Sequence, residues 1–451
     1  MQRKIEKNLE VWLNGKTALF IDGARQTGKT YIIEKFGKEH FSRFLELNLL
    51  LTPDAIPLLI QSMDVDRFLL NLSLLLDDDM VPGETLIFID EIQQIDVYKR
   101  EHGAQNSSFD LPTLAKALVL DGRYRFAFSG SLLGVSLSGI ASWPSGYMSS
   151  FTLFPMDFEE FCIAAGKEKL LGVAKECFDS HKSVPAFVHD RLNGLFASYL
   201  LVGGMPKCVE TFFETSSWRK VELAQKDVET YNLRDVSKYA SIEDKLPIQT
   251  MYKLIPGQLN AKSKRFHVGL LKKKGKPDEI KGTFLWLESA GIAIPVWNAS
   301  EPIAPLMASE ERNLCKLFLQ DTGLLTSYMM DATLKKKILL GEQNINFGSI
   351  YENAVASLLR THGFGNLYYY NSKKYGEVDF LLEKMGEVTP LEVKSGKDYL
   401  RHQALNNMLG VYHSKRGIVL HNGNYEVRGR VSYFPIYWAE FITKKGTDLL
   451  D

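Results

Sequence analysis

The segment GARQTGKT, Gly23 to Thr30, limits the folds open to this chain more than any other stretch of its sequence. It matches the pattern G-x-x-x-x-G-K-[ST] of a phosphate-binding loop. The apolar run KTALFIDG before it has the length of a buried strand, and YIIEKFGKEH after it has a helical pattern. Strands and helices continue to alternate up to about residue 150. The sequence therefore predicts an α/β fold with the parallel sheet of a P-loop NTPase.

The residue types of this loop suit the binding of a nucleoside triphosphate. Its glycines let the backbone turn tightly, so that successive N–H groups point at phosphate oxygens, and the following helix adds its positive N-terminal end. We expect the amine of Lys29 to reach the β- and γ-phosphates and the hydroxyl of Thr30 to ligate Mg²⁺. ATP and Mg²⁺ are therefore the expected ligands. The residues predicted to bind the nucleotide are Gly23, Ala24, Arg25, Gln26, Thr27, Gly28, Lys29, Thr30 and Ser131.

Two further predicted strands end in polar residues that belong to the same site. In TLIFIDE, Asp90 is expected to hold the Mg²⁺ shell and Glu91 to take a proton from the attacking water. In FSGS, the hydroxyl of Ser129 or Ser131 is a candidate to orient the γ-phosphate or the water, and a loop serine without such a role is the alternative. Hydrolysis also needs a cation near the transferred phosphate. Spacing does not rank the candidates, which are Arg25, Arg123, Arg125, Arg191 and Arg234.

Length and composition limit the number of domains and the kinds of partner that this chain can have. Its 451 residues exceed one average domain and predict two or three cores. Lys and Arg number 54, as do Asp and Glu, so a global positive field for nucleic acid is excluded and such a contact needs a local patch. The four cysteines lack the spacing of a disulfide framework or a zinc site, and no apolar run reaches the ~18 residues of a membrane span. These features are typical of a cytoplasmic protein.

The pattern of elements predicts four regions along the chain. Residues 1–150 form the P-loop ATPase core, and residues 151–215 form a helical lid. Residues 216–335 contain helices that lead into a further helix and two short strands, which predicts a winged-helix-like domain. Residues 336–451 combine helices and strands in another α/β unit.

Acidic residues and a lysine occupy alternate positions of two predicted strands in this last region. In EVDFLL and PLEVKSG, Asp379, Glu392 and Lys394 lie on the polar faces, because strand side chains alternate. If the strands pair, these side chains converge, and Glu352 in the helix GSIYENAVASLL supplies a further acid. Two carboxylates bind a hard cation such as Mg²⁺, with Asp379 and Glu392 as ligands, and the lysine stabilises phosphate charge. This arrangement predicts a metal-dependent nuclease centre, and the polar side of an ordinary hairpin is the alternative.

The order of the motifs resembles a bacterial and archaeal family of AAA-type ATPases with a C-terminal domain of unknown function. The shared motifs are GARQTGKT, IFIDEIQ, FSGS, PMDFEEF, GGMPKCVE, LQDTGLL, YENAVASLL, EVDFLL and LEVKSG. The resemblance covers nearly the whole chain and implies a C-terminal restriction-endonuclease-like fold of the PD-(D/E)xK type. Its active positions would be Glu352, Asp379, Glu392 and Lys394. Relatives carry Gly-Arg shortly before the PMDFEEF segment, whereas this chain has Tyr147 in the place of the arginine, which puts the source of an arginine for hydrolysis in question.

Two functions are compatible with these features. The first is an ATPase whose nucleotide state controls a metal-dependent nuclease acting on DNA or RNA. The second is a nucleotide-dependent switch whose C-terminal fold is a scaffold that does not cleave. An oligomer or a protein partner is compatible with either function. Nucleic acid would be contacted through a local basic patch, for which a solvated charge run is the alternative. The patch consists of Lys262, Lys264, Arg265, Lys272, Lys273, Lys274 and Lys276.

Overall fold

A computed structural model describes residues 1–445, apart from residues 63, 77, 104–109, 132–145, 240–241, 262–263, 267–276, 343–346, 397 and 413. The chain divides into two compact units. The first comprises Met1–Phe154 with Ser289–Gly291, and the second comprises Pro155–Glu288 with Ile292–Asp451. None of the helices in the described ranges is long and apolar enough to cross a membrane.

The first unit is built on a five-stranded sheet. Its strands are β1 (Ala18–Gly23), β2 (Arg43–Asn48), β3 (Thr85–Asp90), β4 (Arg125–Ser131) and β5 (Met148–Thr152). They lie in the order β2-β3-β4-β1-β5, and all neighbouring pairs run parallel. Every residue of β3 is buried, as expected for a central strand covered on both faces. The predicted α/β fold with a parallel sheet is confirmed for this region.

Helices cover both faces of this sheet. They are α1 (Glu6–Leu13), α2 (Lys29–His40), α3 (Ala55–Ile60), α4 (Val65–Leu76), α5 (Gln94–Glu101) and α6 (Leu111–Asp121). Because side chains alternate along a strand, the two faces have separate cores. Leu19 and Ile21 of β1 belong to the core that contains apolar residues of α1 and α2, whereas Phe20 belongs to the core of α3, α4 and α6. The carboxyl ends of the parallel strands meet at one edge of the sheet, where β1 leads into the loop before α2.

The second unit begins with a run of helices. Its helices are α7 (Phe158–Ala164), α8 (Glu168–Asp179), α9 (Ala186–Val202), α10 (Pro206–Thr215), α11 (Trp218–Tyr239), α12 (Ile242–Leu259), α13 (Pro277–Ser289), α14 (Thr322–Met329), α15 (Ala332–Leu339), α16 (Gly348–Thr361) and α17 (Gln403–Val411). Two 3₁₀ helices span Leu306–Ser309 and Ile436–Phe441. A capping box begins α7, in which Asp157 accepts a hydrogen bond from the Glu160 amide over 3.0 Å.

An eight-stranded mixed sheet forms the other part of the second unit. Its strands are β6 (Ala293–Ala299), β7 (Glu310–Leu319), β8 (Leu367–Ser372), β9 (Gly376–Lys384), β10 (Glu387–Val393), β11 (Gly417–His421), β12 (Glu426–Arg428) and β13 (Val431–Pro435). They lie in the order β12-β13-β11-β10-β9-β8-β6-β7. The strand β9 is antiparallel to both of its neighbours, β8 and β10, and β11 runs parallel to β10.

The strands β6 and β7 depart from the sequence-based expectation. The sequence predicts that these two strands belong to a separate winged-helix-like domain ending at residue 335. Instead, β6 pairs in parallel with β8, so that the hairpin extends the C-terminal sheet. All residues of β6 are buried, which is the burial of an inner strand and not of a solvated wing. The sheet is thus continuous across the predicted boundary between residues 335 and 336.

Candidate functional sites

The phosphate-binding loop has the backbone geometry that its glycines predict. Gly28 has a φ of +93°, a left-handed conformation that glycine adopts at little cost. A Cβ atom at Gly23 would lie 2.4 Å from the Leu153 carbonyl oxygen, so the close approach of these two segments requires glycine there. Gln26 also has a positive φ, +61°. The loop is therefore held in its turn by residues at both of its ends.

The amine of Lys29 points back at the loop. Its Nζ donates hydrogen bonds to the carbonyl oxygens of Gly23 and Ala24 at 3.0 and 2.8 Å. The side chain is buried, and burial lowers the pKa of the amine although Glu91 and Asp90 partly offset this effect. Oxygens with more negative charge than these carbonyls would therefore form stronger hydrogen bonds to the buried amine.

Asp90, at the end of β3, collects hydrogen bonds from three other segments. Its Oδ2 accepts from the Thr30 hydroxyl at 2.8 Å and from the Asn48 amide at 3.0 Å. Its Oδ1 accepts from the backbone N–H of Glu91 at 2.9 Å and from the Ser129 hydroxyl. The structure thus brings together Asn48, Asp90 and Ser129 because β2, β3 and β4 are parallel neighbours that end at the same edge. Thr30 joins them because β1, the strand before its loop, is the parallel neighbour of β4.

Glu91 and Ser131 also lie beside the loop. The backbone of Glu91 is left-handed, with a φ of +58°, and its carboxylate accepts a hydrogen bond from the Gln93 side chain. Ser131 is buried at the end of β4, where it pairs with Gly23. Positive φ at a non-glycine residue is strained, and such strain is common at functional sites.

Two residues of this region were not predicted from the sequence. Asn48 ends β2 as Asp90 ends β3, so a polar residue at a strand end was the signal available for it. Asp22 lies immediately before the loop, and its Oδ1 is buried without a hydrogen-bond partner among the described residues. Burial raises the pKa of Asp22, while a hydrogen bond from Thr152 and the charge of Lys29 oppose that rise.

The structure also locates the arginine candidates of the first unit and Tyr147. Arg123 pairs with the carboxylates of Asp121 and Asp66. The guanidinium of Arg125 donates to the Gly15 carbonyl at 2.9 Å and lies 4.4 Å from the centre of the Trp12 ring. The centre of the Tyr147 ring lies 5.1 Å from the Lys116 amine. Arg25 is part of the loop itself. Arg191 and Arg234 of the second unit lie over the rings of Phe187 and Tyr231.

A second polar centre lies in the eight-stranded sheet. The strands β9 and β10 are antiparallel with Leu391 opposite Phe380, which puts Glu392 opposite Asp379 one position further along. Oδ2 of Asp379 accepts a hydrogen bond from the Val393 amide at 2.9 Å. The amine of Lys394 lies 2.9 Å from Oε2 of Glu392. The neighbouring strands therefore bring these predicted residues together.

Two further lysines enter this centre from segments distant in sequence. The side chain of Lys316, on β7, is fully buried, with its amine 2.6 Å from Oε1 of Glu377 and 3.9 Å from Oδ1 of Asp379. Lys264 forms an ion pair with Glu352 of α16. It is delivered by a short extended segment in which Phe266 donates its backbone N–H to the Cys315 carbonyl of β7 at 2.8 Å. Of the predicted basic patch, Lys264 and Arg265 are described; Lys262, Lys272, Lys273, Lys274 and Lys276 lie outside the described residues.

The carboxylates of this centre are electrostatically coupled. Burial raises the pKa of both Glu352 and Glu392, and the nearby charge of Asp379 raises both further. Burial acts in the same direction on Asp379, but the charges of Lys316, Lys264 and Lys394 outweigh it and lower its pKa. Of these three carboxyl groups, Asp379 is therefore the one whose ionised form is favoured most by the surrounding lysines.

A cluster of three potential metal ligands lies outside both centres. Side-chain ligand atoms of Asp157, His362 and Glu440 all lie within 4.8 Å of one another. In the part of the chain that the structure describes, Glu352, Asp379 and Glu392 do not meet the same criterion. Sequence spacing gave no signal for this cluster, because its members are scattered along the second unit.

Comparison with known protein families gives three matches. Residues 15–162 match the family described as AAA domain. Residues 193–335 match a domain of unknown function, DUF8612, and residues 347–438 match another, DUF4143. Most of the residues that match the AAA domain lie in the first unit, whose main segment ends at Phe154. A search of curated proteins found no match to this chain.

Comparison with solved structures gives matches of low sequence identity and low TM-score. The ORC1 protein of Aeropyrum pernix, in complex with DNA, is 10% identical with a TM-score of 0.30, over 76% of this chain and 93% of that chain. The DnaA protein of Aquifex aeolicus, bound to AMPPCP, is 13% identical with a TM-score of 0.27. The match covers 63% of this chain and 77% of that chain. A signal transduction ATPase of Pyrococcus horikoshii, PH0952, is 11% identical with a TM-score of 0.28. The match covers 81% of this chain and 46% of that chain.

Proposed function

We propose that this chain, which carries an AAA domain at residues 15–162, is a Mg²⁺-dependent ATPase. The observation that carries the proposal is the 2.8 Å hydrogen bond between Thr30, at the start of α2, and Asp90, at the end of β3. A hydroxyl and a carboxylate are oxygen ligands, which Mg²⁺ prefers, and they meet directly after a loop suited to phosphate. The residues present therefore fit the ion that accompanies ATP.

Lys29 supports phosphate binding through the contacts that it would exchange. Its amine bonds to the carbonyls of Gly23 and Ala24, which carry only partial negative charge. Phosphate oxygens beside the loop carry full charge, so we expect ATP binding to draw the amine from the carbonyls toward the phosphates. Full charge also favours the protonated amine, which opposes the lowering of its pKa by burial.

Asp90 and Glu91 would have different roles, one in metal binding and the other in proton transfer. Asp90 is anchored by its neighbours and would hold the metal side of the site, where Mg²⁺ neutralises phosphate charge. Glu91 is the next residue, and its carboxylate would accept a proton from water. The hydrogen bond from Gln93 holds that carboxylate in one orientation. Water attack thus depends on Glu91, whereas binding depends on the loop, Thr30 and Asp90.

The ATPase proposal is tested by measuring ATP binding and phosphate release in the full chain. Lys29→Ala is expected to abolish phosphate release and to weaken ATP binding, because it removes the cation that the loop surrounds. Lys38→Ala is the matched control, since Lys38 lies on the same helix, is exposed and pairs only with Glu34 in the described contacts. If Lys29→Ala hydrolyses ATP at the rate of the unchanged chain, the proposed site is wrong.

A metal-dependent nuclease controlled by the nucleotide state is the second candidate function. It is favoured by the pairing of β9 with β10, which sets Asp379, Glu392 and Lys394 side by side, with Glu352 on the helix α16. Three antiparallel strands followed by a helix and a parallel strand agree with the restriction-endonuclease-like fold that the resemblance implies. The carboxylates would hold Mg²⁺ and Lys394 would stabilise phosphate charge.

A scaffold that does not cleave is favoured by a different observation at the same centre. Lys264 and Lys316 already pair with Glu352, Glu377 and Asp379, and so supply positive charge that a bound cation would otherwise supply. A divalent ion must displace or rearrange these amines before it is held by both carboxylates. The two candidates differ in whether metal addition produces cleavage.

A further inference from the structure

The cluster of Asp157, His362 and Glu440 joins three separate segments of the second unit. Asp157 is the N-cap residue of α7, His362 follows the last residue of α16, and Glu440 lies in the 3₁₀ helix Ile436–Phe441. Nε2 of His362 lies 3.6 Å from Oδ2 of Asp157 and 3.4 Å from Oε1 of Glu440. One imidazole nitrogen and two carboxylate oxygens therefore face a common point.

Each carboxylate has one oxygen engaged with the start of α7. Oδ1 of Asp157 accepts from the Glu160 amide at 3.0 Å, and Oε2 of Glu440 accepts from the Phe158 amide at 3.0 Å. The other oxygens, Oδ2 and Oε1, are the two directed at His362. The helix thus fixes both carboxylates and orients their second oxygens toward the imidazole.

Burial makes this arrangement costly without a cation. The side chains of Asp157 and Glu440 are 2% and 1% exposed, and that of His362 is 7% exposed. Two buried carboxylates repel each other and lose their hydration, so positive charge between them is required. The imidazole is the nearest group: burial lowers the pKa of His362, but the charges of Glu440 and Asp157 outweigh this effect and raise it to about 9. Neither ring nitrogen nevertheless forms a hydrogen bond of normal geometry among the described residues.

The separations suit ligands of one metal ion better than hydrogen-bond partners. An N–H···O hydrogen bond has a heavy-atom distance of about 2.7–3.2 Å, shorter than both separations from Nε2. Zinc binds imidazole nitrogen and carboxylate oxygen at about 2.0–2.2 Å, and tetrahedral geometry then places two ligand atoms about 3.3–3.6 Å apart. The observed 3.4 and 3.6 Å agree with that spacing.

We propose that Asp157, His362 and Glu440 bind a divalent transition-metal ion of the zinc class. Imidazole is a good ligand for zinc, whereas Mg²⁺ and Ca²⁺ prefer six or more oxygen ligands. Two carboxylates balance the charge of a dication, so a neutral imidazole completes a neutral buried site. The ion links the start of α7, the end of α16 and the C-terminal 3₁₀ helix. Its role is structural, and it is separate from both centres described above.

The test is zinc binding by the full chain after treatment with a chelator. The chain is exposed to zinc, dialysed and analysed for bound metal, its thermal unfolding is followed with and without zinc, and Co²⁺ replaces zinc to give an absorption spectrum of the site. We expect about one zinc per chain and a higher melting temperature with zinc than without it.

The variants separate a metal site from a buried ion triad. Asp157→Asn keeps a residue that can cap α7, but it removes the negative charge and one of the two carboxylate oxygens. This variant should therefore lose zinc and retain the helix. His362→Gln should also lose zinc and the Co²⁺ spectrum. His402→Gln is the control, because His402 is a buried histidine that bonds Tyr433 at 2.7 Å outside the cluster, and it should keep the metal.

Two results overturn the proposal. One is an unchanged chain that retains no zinc and has the same melting temperature with and without it. The other is zinc retained equally by Asp157→Asn, which would place the metal elsewhere. Either result leaves the cluster as an imidazolium ion between two carboxylates.

Discussion

The carboxylate of Asp321 accepts a hydrogen bond from the backbone amide of Gly204, 117 residues away in sequence, over 2.6 Å. Its other oxygen accepts from the Leu324 amide at 2.9 Å and so caps α14. A Cβ atom at Gly204 would lie 1.9 Å from the Met156 carbonyl oxygen, so only glycine allows this packing. The motifs GGMPKCVE and LQDTGLL are therefore joined by one buried carboxylate.

Removing this carboxylate should destabilise the second unit. Asp321→Ala leaves the Gly204 amide and the start of α14 without their acceptor, and we expect a loss of about 3 kcal/mol in the free energy of unfolding. Asp331→Ala removes a comparable N-cap that is exposed, where Asp331 accepts from Leu334 at 2.7 Å, and should cost about 1 kcal/mol. Urea unfolding measures both, and equal losses would contradict the special role of Asp321.

Glu91→Gln should separate ATP binding from ATP hydrolysis. The amide cannot accept the proton of the attacking water, so phosphate release should fall about 100-fold or more while ATP affinity changes little. Glu84→Gln, an exposed residue just before β3, is the control and should hydrolyse ATP normally. Phosphate release and calorimetric titration with Mg·ATP give the two quantities. A variant Glu91→Gln that releases phosphate at the normal rate would exclude Glu91 as the proton acceptor.

The nuclease candidate predicts cleavage that requires a divalent ion. With Mg²⁺ or Mn²⁺ and ATP, the chain should cut a nucleic acid, and both Asp379→Asn and Lys394→Met should abolish cutting because they remove a metal ligand and a phosphate-binding cation. Lys415→Met is the control, since Lys415 pairs with Glu387 on the exposed surface. Gel assays on duplex DNA, single-stranded DNA and RNA provide the measurement. Absence of cutting on all three supports the scaffold.

Lys335 should make stability rise with pH. Burial lowers the pKa of its amine from 10.5 to about 7, and the amine donates to the Leu201 carbonyl and the Gln225 side chain. Between these two values the unfolded chain binds a proton that the folded chain does not, so the free energy of unfolding gains up to ~1.4 kcal/mol per pH unit. Below pH 7 both states are protonated and the contribution is constant.

Substitution of Lys335 isolates this contribution. Lys335→Met should remove the rise between about pH 7 and pH 10, whereas Lys336→Met, an exposed neighbour, should keep it. Urea unfolding at several pH values measures the slopes. Identical slopes in the two variants would show that Lys335 is not the group responsible.

The contacts within the proposed nucleotide site could be predicted because the signals for them are local. A loop pattern and the ends of apolar runs identified Lys29, Thr30 and Asp90 from short segments, and a parallel sheet brings such strand ends together by rule. The approach of Asp379 to Glu392 was predictable for a similar reason, since alternation along two adjacent strands fixes which side chains share a face.

The remaining features depend on contacts that a linear pattern does not contain. Two short strands in succession predict a hairpin, but nothing in them specifies that β6 joins β8, and so Lys316 was not predicted to reach Asp379. His362 meets its two carboxylates only after three separate segments have packed. Long-range sheet order and helix packing determine these sites.

The pairing of β6 with β8 sets a practical limit on dividing the second unit. A fragment that begins at residue 336 would lose β6 and β7 and expose the edge of β8, in which most residues are apolar or aromatic. An open strand edge of this kind invites pairing with other chains and aggregation. Such a fragment would also lack Lys316, which supplies positive charge beside Glu377 and Asp379. Metal binding or cleavage measured on the isolated C-terminal fragment would therefore differ from that of the whole chain.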